Sequence, residues 1–137
     1  KAQGMKLPVL TTEVLLGRDV IADNKALVEG MVGIEQYFDE TAPLQKKFID
    51  AYKAKFNEEL AFPGYMADMY SQFYLLKQAI ESVGDDTEKV RDYFYKVSDW
   101  KHALGSLTFN ENGDSLASYS INKVEGGTLK QIDVVKP

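Results

Sequence analysis

The sequence predicts an α/β fold: a parallel sheet with flanking helices, finished by an antiparallel C-terminal hairpin. Three observations carry this reading. Two short apolar runs, Leu7–Thr11 and Gly30–Ile34, alternate with segments of helical period. Phe62 to Gly84 reads as one long buried helix around which the rest is arranged. After Trp100 the helical period gives way to alternation, broken by turn residues.

Lys1 to Lys6 has the character of a last helical turn stopped at Gly4, so the chain is expected to open inside a β-α-β unit of a longer protein. Leu7–Thr11 follows as a parallel strand. Thr11-Thr12-Glu13 stands at its C-terminal end, where ligands meet α/β folds. Val14 to Leu27 is weakly helical, with Gly17 as a break and Asp19 as a candidate cap. Gly30–Ile34 is the second strand, and its glycines signal close backbone approach. Glu35 to Thr41 leaves it as a connector containing Tyr37 and Phe38.

Pro43 opens an amphipathic helix with Leu44, Phe48, Ala51, Tyr52 and Phe56 inward. Gln45, Lys46, Lys47, Lys53 and Lys55 form its solvated face. In the central helix Met66, Met69, Tyr70, Phe73, Leu76, Ile80 and Val83 make one apolar stripe, which Tyr74, Leu75 and Ala79 widen. That helix is therefore expected to be buried on more than one side, with only the aromatic start, Phe62 to Tyr65, facing something other than core. Pro63 suits its first turn and Gly84 its end. Asp85, with Glu88 three residues on, is expected to cap a third helix that turns Val90, Tyr93, Phe94 and Val97 inward. Leu107–Phe109 is a strand, Asn110–Asp114 a turn tightest at Asn112-Gly113, and Ala117–Val124 another strand. Gly126-Gly127 makes the hairpin into Leu129–Val135.

The 137 residues suit one domain, and a net charge of −5 without blocks of like charge argues against a nucleic-acid surface. Cysteine is absent, which removes disulfides and thiolate chemistry but leaves the compartment open. His102 is the single histidine, and neither a metal-ligand spacing nor a G-x-S-x-G elbow surrounds any candidate. Neither a phosphate loop nor a calcium loop is present, so no cofactor, metal or catalytic residue is expected. Glu13 is different in kind. A carboxylate at the C-terminal end of an apolar strand is either a helix cap or the charge partner of a ligand.

Four passages carry a shared pattern. They are Gly4-x-Lys6-x-Pro8 leading to Glu13, Glu29-Gly30, and Asp68-Met69-Tyr70 with Leu75-Leu76-x-x-Ala79-Ile80. The fourth is Gly105-Ser106-Leu107-Thr108-Phe109-Asn110-Glu111-Asn112-Gly113-Asp114, followed by Gly126-Gly127. Together they resemble the C-terminal part of the leucine/isoleucine/valine-binding proteins, type I periplasmic binding proteins of ABC transporters. Asn110, Ser71-Gln72 and Val14 depart from the residues usual in that family. The resemblance implies a two-lobed fold with an amino acid held in the cleft. Residues 1–38 and 119–137 would belong to the second lobe and 39–118 to the first. It implies that Glu13 holds the ligand's α-ammonium and that Tyr65 sets an aromatic ring against its side chain. It also implies a non-enzymatic, extracytoplasmic protein, periplasmic or extracellular, made with a signal peptide and free or anchored as a lipoprotein. The protein would deliver a small amino acid to a membrane permease. The N-terminal half of the same protein, or a second chain, would complete the sheets. A sensor domain of a signalling receptor or regulator is the alternative on the same fold.

Overall fold

The structure is a computed structural model and describes residue 4 and residues 7–136. The helix end expected over Lys1–Lys6 lies, apart from Gly4, outside the described residues. The chain forms two compact units: residues up to Tyr37 together with Ser118–Lys136, and Phe38–Ala117.

The first unit is built on a four-stranded sheet in the order β1-β2-β5-β6. β1 (Leu10–Thr12) pairs in parallel with β2 (Val32–Gln36), setting Thr11 opposite Gly33. β5 (Tyr119–Glu125) runs antiparallel to β2, and β6 (Thr128–Val135) antiparallel to β5. The first strand starts later than expected, after Pro8, which has no N–H to give to a ladder. The second also starts later, because Gly30 turns at φ 75° before Val32 enters the sheet. The weak helix expected over Val14–Leu27 is three short pieces: a 3-10 turn at Glu13–Leu16, α1 (Arg18–Asp23) and α2 (Lys25–Val28). Gly17, not Asp19, stands at the cap position of α1. These pieces pack Leu16, Ile21 and Val28 with Met31 and Val124 into the core of the unit.

The hairpin between β5 and β6 turns on Gly126 and Gly127, at φ 64° and 70°, a conformation that an L-residue with a side chain resists. Both carboxylate oxygens of Glu29 accept hydrogen bonds from this turn, from Gly126 N at 3.0 Å and Gly127 N at 3.1 Å. Gly33 meets a different demand. A Cβ there would lie 2.7 Å from Leu16 Cδ1 and 2.9 Å from the Thr11 carbonyl oxygen. Gly33→Ala is therefore expected to destabilise the protein by about 1–3 kcal/mol through overpacking. Urea unfolding measures it, and an unchanged midpoint would mean that β1 and β2 are not held this close.

The second unit holds α3 (Pro43–Phe56), α4 (Pro63–Val83), α5 (Thr87–Phe94) and a two-stranded sheet of β3 (Trp100–His102) and β4 (Gly105–Leu107). Pro43 and Pro63 open their helices, and Asn57, in the left-handed region at φ 54°, closes α3. The cap of α5 is Asp86 and not Asp85: its side chain accepts from Glu88 N and Lys89 N. Asp86 has the extended backbone that an N-cap needs, so geometry decides between the two neighbouring aspartates. The expected strand at Leu107–Phe109 begins two residues earlier, and Phe109 instead bridges to Ser115 across the Asn110–Asp114 turn. Asn110 closes that turn, accepting from Asn112 N and Asp114 N.

Three sequence expectations about facing are corrected by the structure. On α3, Leu44, Ala51 and Phe56 are exposed, and of the expected inner face only Phe48 and Tyr52 are partly covered. Gln45 does not face water: it is buried, and its Nε2 donates to the Leu104 carbonyl at 3.1 Å. The covered face of α4 is Gly64, Ala67, Ser71, Leu75 and Ala79, mostly small residues that allow close packing. The large apolar stripe is left open: Phe73 is 69% exposed, and Met69, Leu76 and Ile80 are about as open as each other, at 40–41%. Side chains of that size need a facing layer, and the described residues do not supply one. Leu75 joins Val97 and Leu107 in the core of this unit, with Tyr93, Phe94, Trp100 and Phe109 packed around them.

Candidate ligand-binding site

In the first unit the C-terminal ends of β1 and β2 lie side by side, because parallel pairing puts Thr12 opposite Ile34. One residue further, Glu13 and Glu35 follow at the same level of the sheet. Glu13 opens the 3-10 turn and is half-buried. Neither that turn nor α1 carries a side-chain cap, and among the described residues the Glu13 side chain enters no hydrogen bond or ion pair. Its carboxylate is thus not consumed by the helix that follows, and it can accept hydrogen bonds from an arriving cation.

Glu35 is fixed in place. Asn122 Nδ2 donates to its Oε1 at 2.7 Å and to Ser120 Oγ at 3.0 Å, while Ser120 Oγ donates to the Glu35 carbonyl. Ser120 and Asn122 are each 3% exposed. They share a face of β5 with Val124, and a buried polar pair at that spacing needs partners. The alternation Ser120, Asn122, Val124 was the sequence signal for this cluster, and it passes unnoticed when β5 is read only as a strand.

Tyr65 lies in the second unit, in the first turn of α4, and is 53% exposed. Glu13 and Tyr65 therefore stand on different units. Also in the second unit, Ser71 Oγ donates to the Ala67 carbonyl at 2.7 Å and accepts from Leu104 N at 3.1 Å. Its one hydroxyl proton is spent on Ala67. His102 Nδ1, 3.1 Å away, must therefore carry the proton that it shares with Ser71. Burial pushes the pKa of His102 below its ordinary value. The ring stacks on Trp100 at 5.0 Å and lies 4.9 Å from Tyr74. The hydrogen bond to Tyr74, and then burial, push the Tyr70 phenol upward. Among the described residues no three His, Asp or Glu side chains converge as a metal site would require. Among the described residues no helix is long and apolar enough to cross a membrane.

Comparison with solved structures bears on this arrangement. A leucine-binding protein, LivK, from Thermotoga maritima is 28% identical and superposes with a TM-score of 0.80, over 99% of this chain and 39% of its own. The isoleucine complex of the branched-chain amino acid transporter substrate-binding protein LivJ from Streptococcus pneumoniae has 21% identity and a TM-score of 0.77, again over 99% of this chain and 39% of that one. A solute-binding protein of an ABC transporter from R. palustris, solved with benzoate, shares the fold at 15% identity and a TM-score of 0.75, over 99% of this chain and 38% of its own. The chain thus spans about two-fifths of the length of these structures. No curated protein gives a significant match. The family model for periplasmic binding proteins matches residues 1–128, and with the type I fold that the superpositions establish, the chain belongs to the periplasmic binding protein family.

Proposed function

We propose that this chain is part of an extracytoplasmic solute-binding protein of an ABC transporter, one that holds a small amino acid of branched-chain type between two lobes. The observation that carries the reading is the Glu13 carboxylate, half-buried at the end of β1 and uncommitted to the described residues. An α-ammonium entering a site that closes over it needs an anion at hydrogen-bonding distance. Glu13 is that anion, and Tyr65 contributes the aromatic contact to the side chain. Residues 1–38 and 119–137 belong to one lobe and 39–118 to the other, a division supported by the two compact units. The role is binding and presentation to a membrane permease, without chemistry, in the periplasm or outside the cell. Closure of the lobes is driven by ligand contacts that both provide.

The open stripe of α4 belongs to the same reading. Met69, Phe73, Leu76 and Ile80 form a face without a charged residue, which the remainder of the first lobe covers in the whole protein. The share of the solved relatives that this chain spans supports this.

Calorimetric titration of the full-length protein with leucine, isoleucine and valine tests the proposal. Saturable binding of at least one is expected. Binding of benzoate with none of the three amino acids would overturn the ligand class. Tyr65→Ala is expected to weaken amino-acid binding by about 1–3 kcal/mol, the scale of one aromatic contact, while ligand-free thermal stability barely changes. The opposite pattern would make Tyr65 an ordinary packing residue.

A further inference from the structure

We propose that the groove between α3 and α4 is a docking site for an acidic amphipathic helix of a partner protein. The groove is open to solvent and has a volume of about 520 Å³. Its floor is a run of rings: Phe48 lies 5.1 Å from Tyr70, Tyr70 4.8 Å from Tyr74, and Tyr74 4.9 Å from His102. Its rim carries Lys47, Lys55 and Lys101.

The lysines separate this surface from the open stripe of α4. That stripe has no charge and suits the interior of a lobe. Burying three ammonium groups there would cost several kcal/mol each unless partners were supplied. A face with rings below and cations around it is instead a solvent-facing surface made for an anionic, partly apolar occupant. The charges are also available. Lys46 and Lys53 of α3 are held by Asp50 at 3.0 Å and Glu59 at 2.8 Å. Lys47 and Lys55 have no carboxylate partner among the described residues, and Lys55 Nζ sits 5.2 Å from the centre of the Phe56 ring. Lys101 is only loosely paired, with Asp99 at 3.5 Å.

Shape selects the kind of occupant. Leu44 to Phe56 on α3 covers about 18 Å at 1.5 Å per residue, three turns of a facing helix. Tyr70 and Tyr74 are 42% and 45% exposed, too open to enclose a small molecule, whose sites bury most of the ligand. Lys47 and Lys55 stand about 12 Å apart along α3, which matches carboxylates two turns apart on the partner. Apolar side chains between those carboxylates would cover Tyr70 and Tyr74.

The test uses the full-length protein and a fluorescein-labelled helical peptide of about 18 residues, with leucines on one face and glutamates two turns apart beside them. Fluorescence anisotropy is expected to show saturable binding that weakens between about 50 and about 300 mM salt. Lys47→Glu with Lys55→Glu should weaken it about tenfold or more. A peptide with lysine in place of glutamate should bind that double variant better than the parent, a gain that a misfolded protein cannot show. Failure of the peptide to bind, equal binding by parent and variant, or equal binding of a glutamine-substituted peptide would each overturn the proposal. So would displacement of the peptide by inorganic phosphate, which would indicate a small-anion site. Resistance of Lys47 and Lys55 to acetylation in the protein alone would likewise overturn it, by showing the groove covered from within.

Discussion

Glu13→Gln in the full-length protein is expected to lower amino-acid affinity by about 2–5 kcal/mol, the range for breaking one side of a buried charge pair. The substitution keeps the shape and removes only the charge. Because the Glu13 carboxylate caps neither the 3-10 turn nor α1, its loss should leave ligand-free stability within about 0.5 kcal/mol of the parent. The informative comparison is between ligands. A carboxylic acid of the same shape as the amino acid, lacking only the ammonium, should lose little or even bind more tightly to the variant. Calorimetry on both ligands measures the difference. If the two lose affinity equally, Glu13 is shaping the site and not neutralising a cation, and an uncharged or acidic solute becomes the better assignment.

Leu75→Ala is expected to cost about 2–5 kcal/mol of stability. Leu75 is 3% exposed on the covered face of α4 and packs with Val97 and Leu107. The residues around this cluster are Tyr93, Phe94, Trp100 and Phe109. Flat rings held by their own neighbours collapse poorly into a void, which favours the upper part of that range. Leu75→Met keeps the volume and should cost less than about 1.5 kcal/mol. Denaturant unfolding of both variants is the measurement, and an alanine variant as stable as the methionine one would mean that this cluster relaxes freely.

The sequence made much of the architecture legible through its punctuation. Pro43, Pro63 and Gly84 bound the two longest helices, and Gly126-Gly127 places the hairpin, because each meets a backbone requirement that few residues satisfy. Facing was harder to read. Hydrophobicity alone selects the stripe of Met69, Phe73, Leu76 and Ile80 as the inner side of α4, whereas the described residues cover the side with Ala67, Ser71 and Ala79. Periodicity reports that a face wants cover without reporting which element provides it. Gln45, Ser120 and Asn122 escaped for a related reason. A polar residue reads as surface until its hydrogen-bond partners, here Leu104 and Glu35, are brought in from the other end of the chain. Glu13 could be singled out from its position at a strand end. Choosing between capping and an open carboxylate needed the turn that follows.

The pairing of β2 with β5 has a consequence for the order in which the molecule assembles. Gly33 and Asn122 are partners, yet the whole of Phe38–Ala117 lies between the strands that carry them. The first unit is therefore discontinuous along the chain and the second is contiguous. During synthesis Phe38–Ala117 leaves the ribosome before β5 exists, so its helices and the β3–β4 pair can form while β1 and β2 still wait for a neighbour. Prior folding of the second unit shortens the span that must be closed, which lowers the entropy cost of bringing β5 to β2. β5 and β6 then join β2 in the first sheet, and the Gly126-Gly127 turn lets β6 follow β5 by a purely local step.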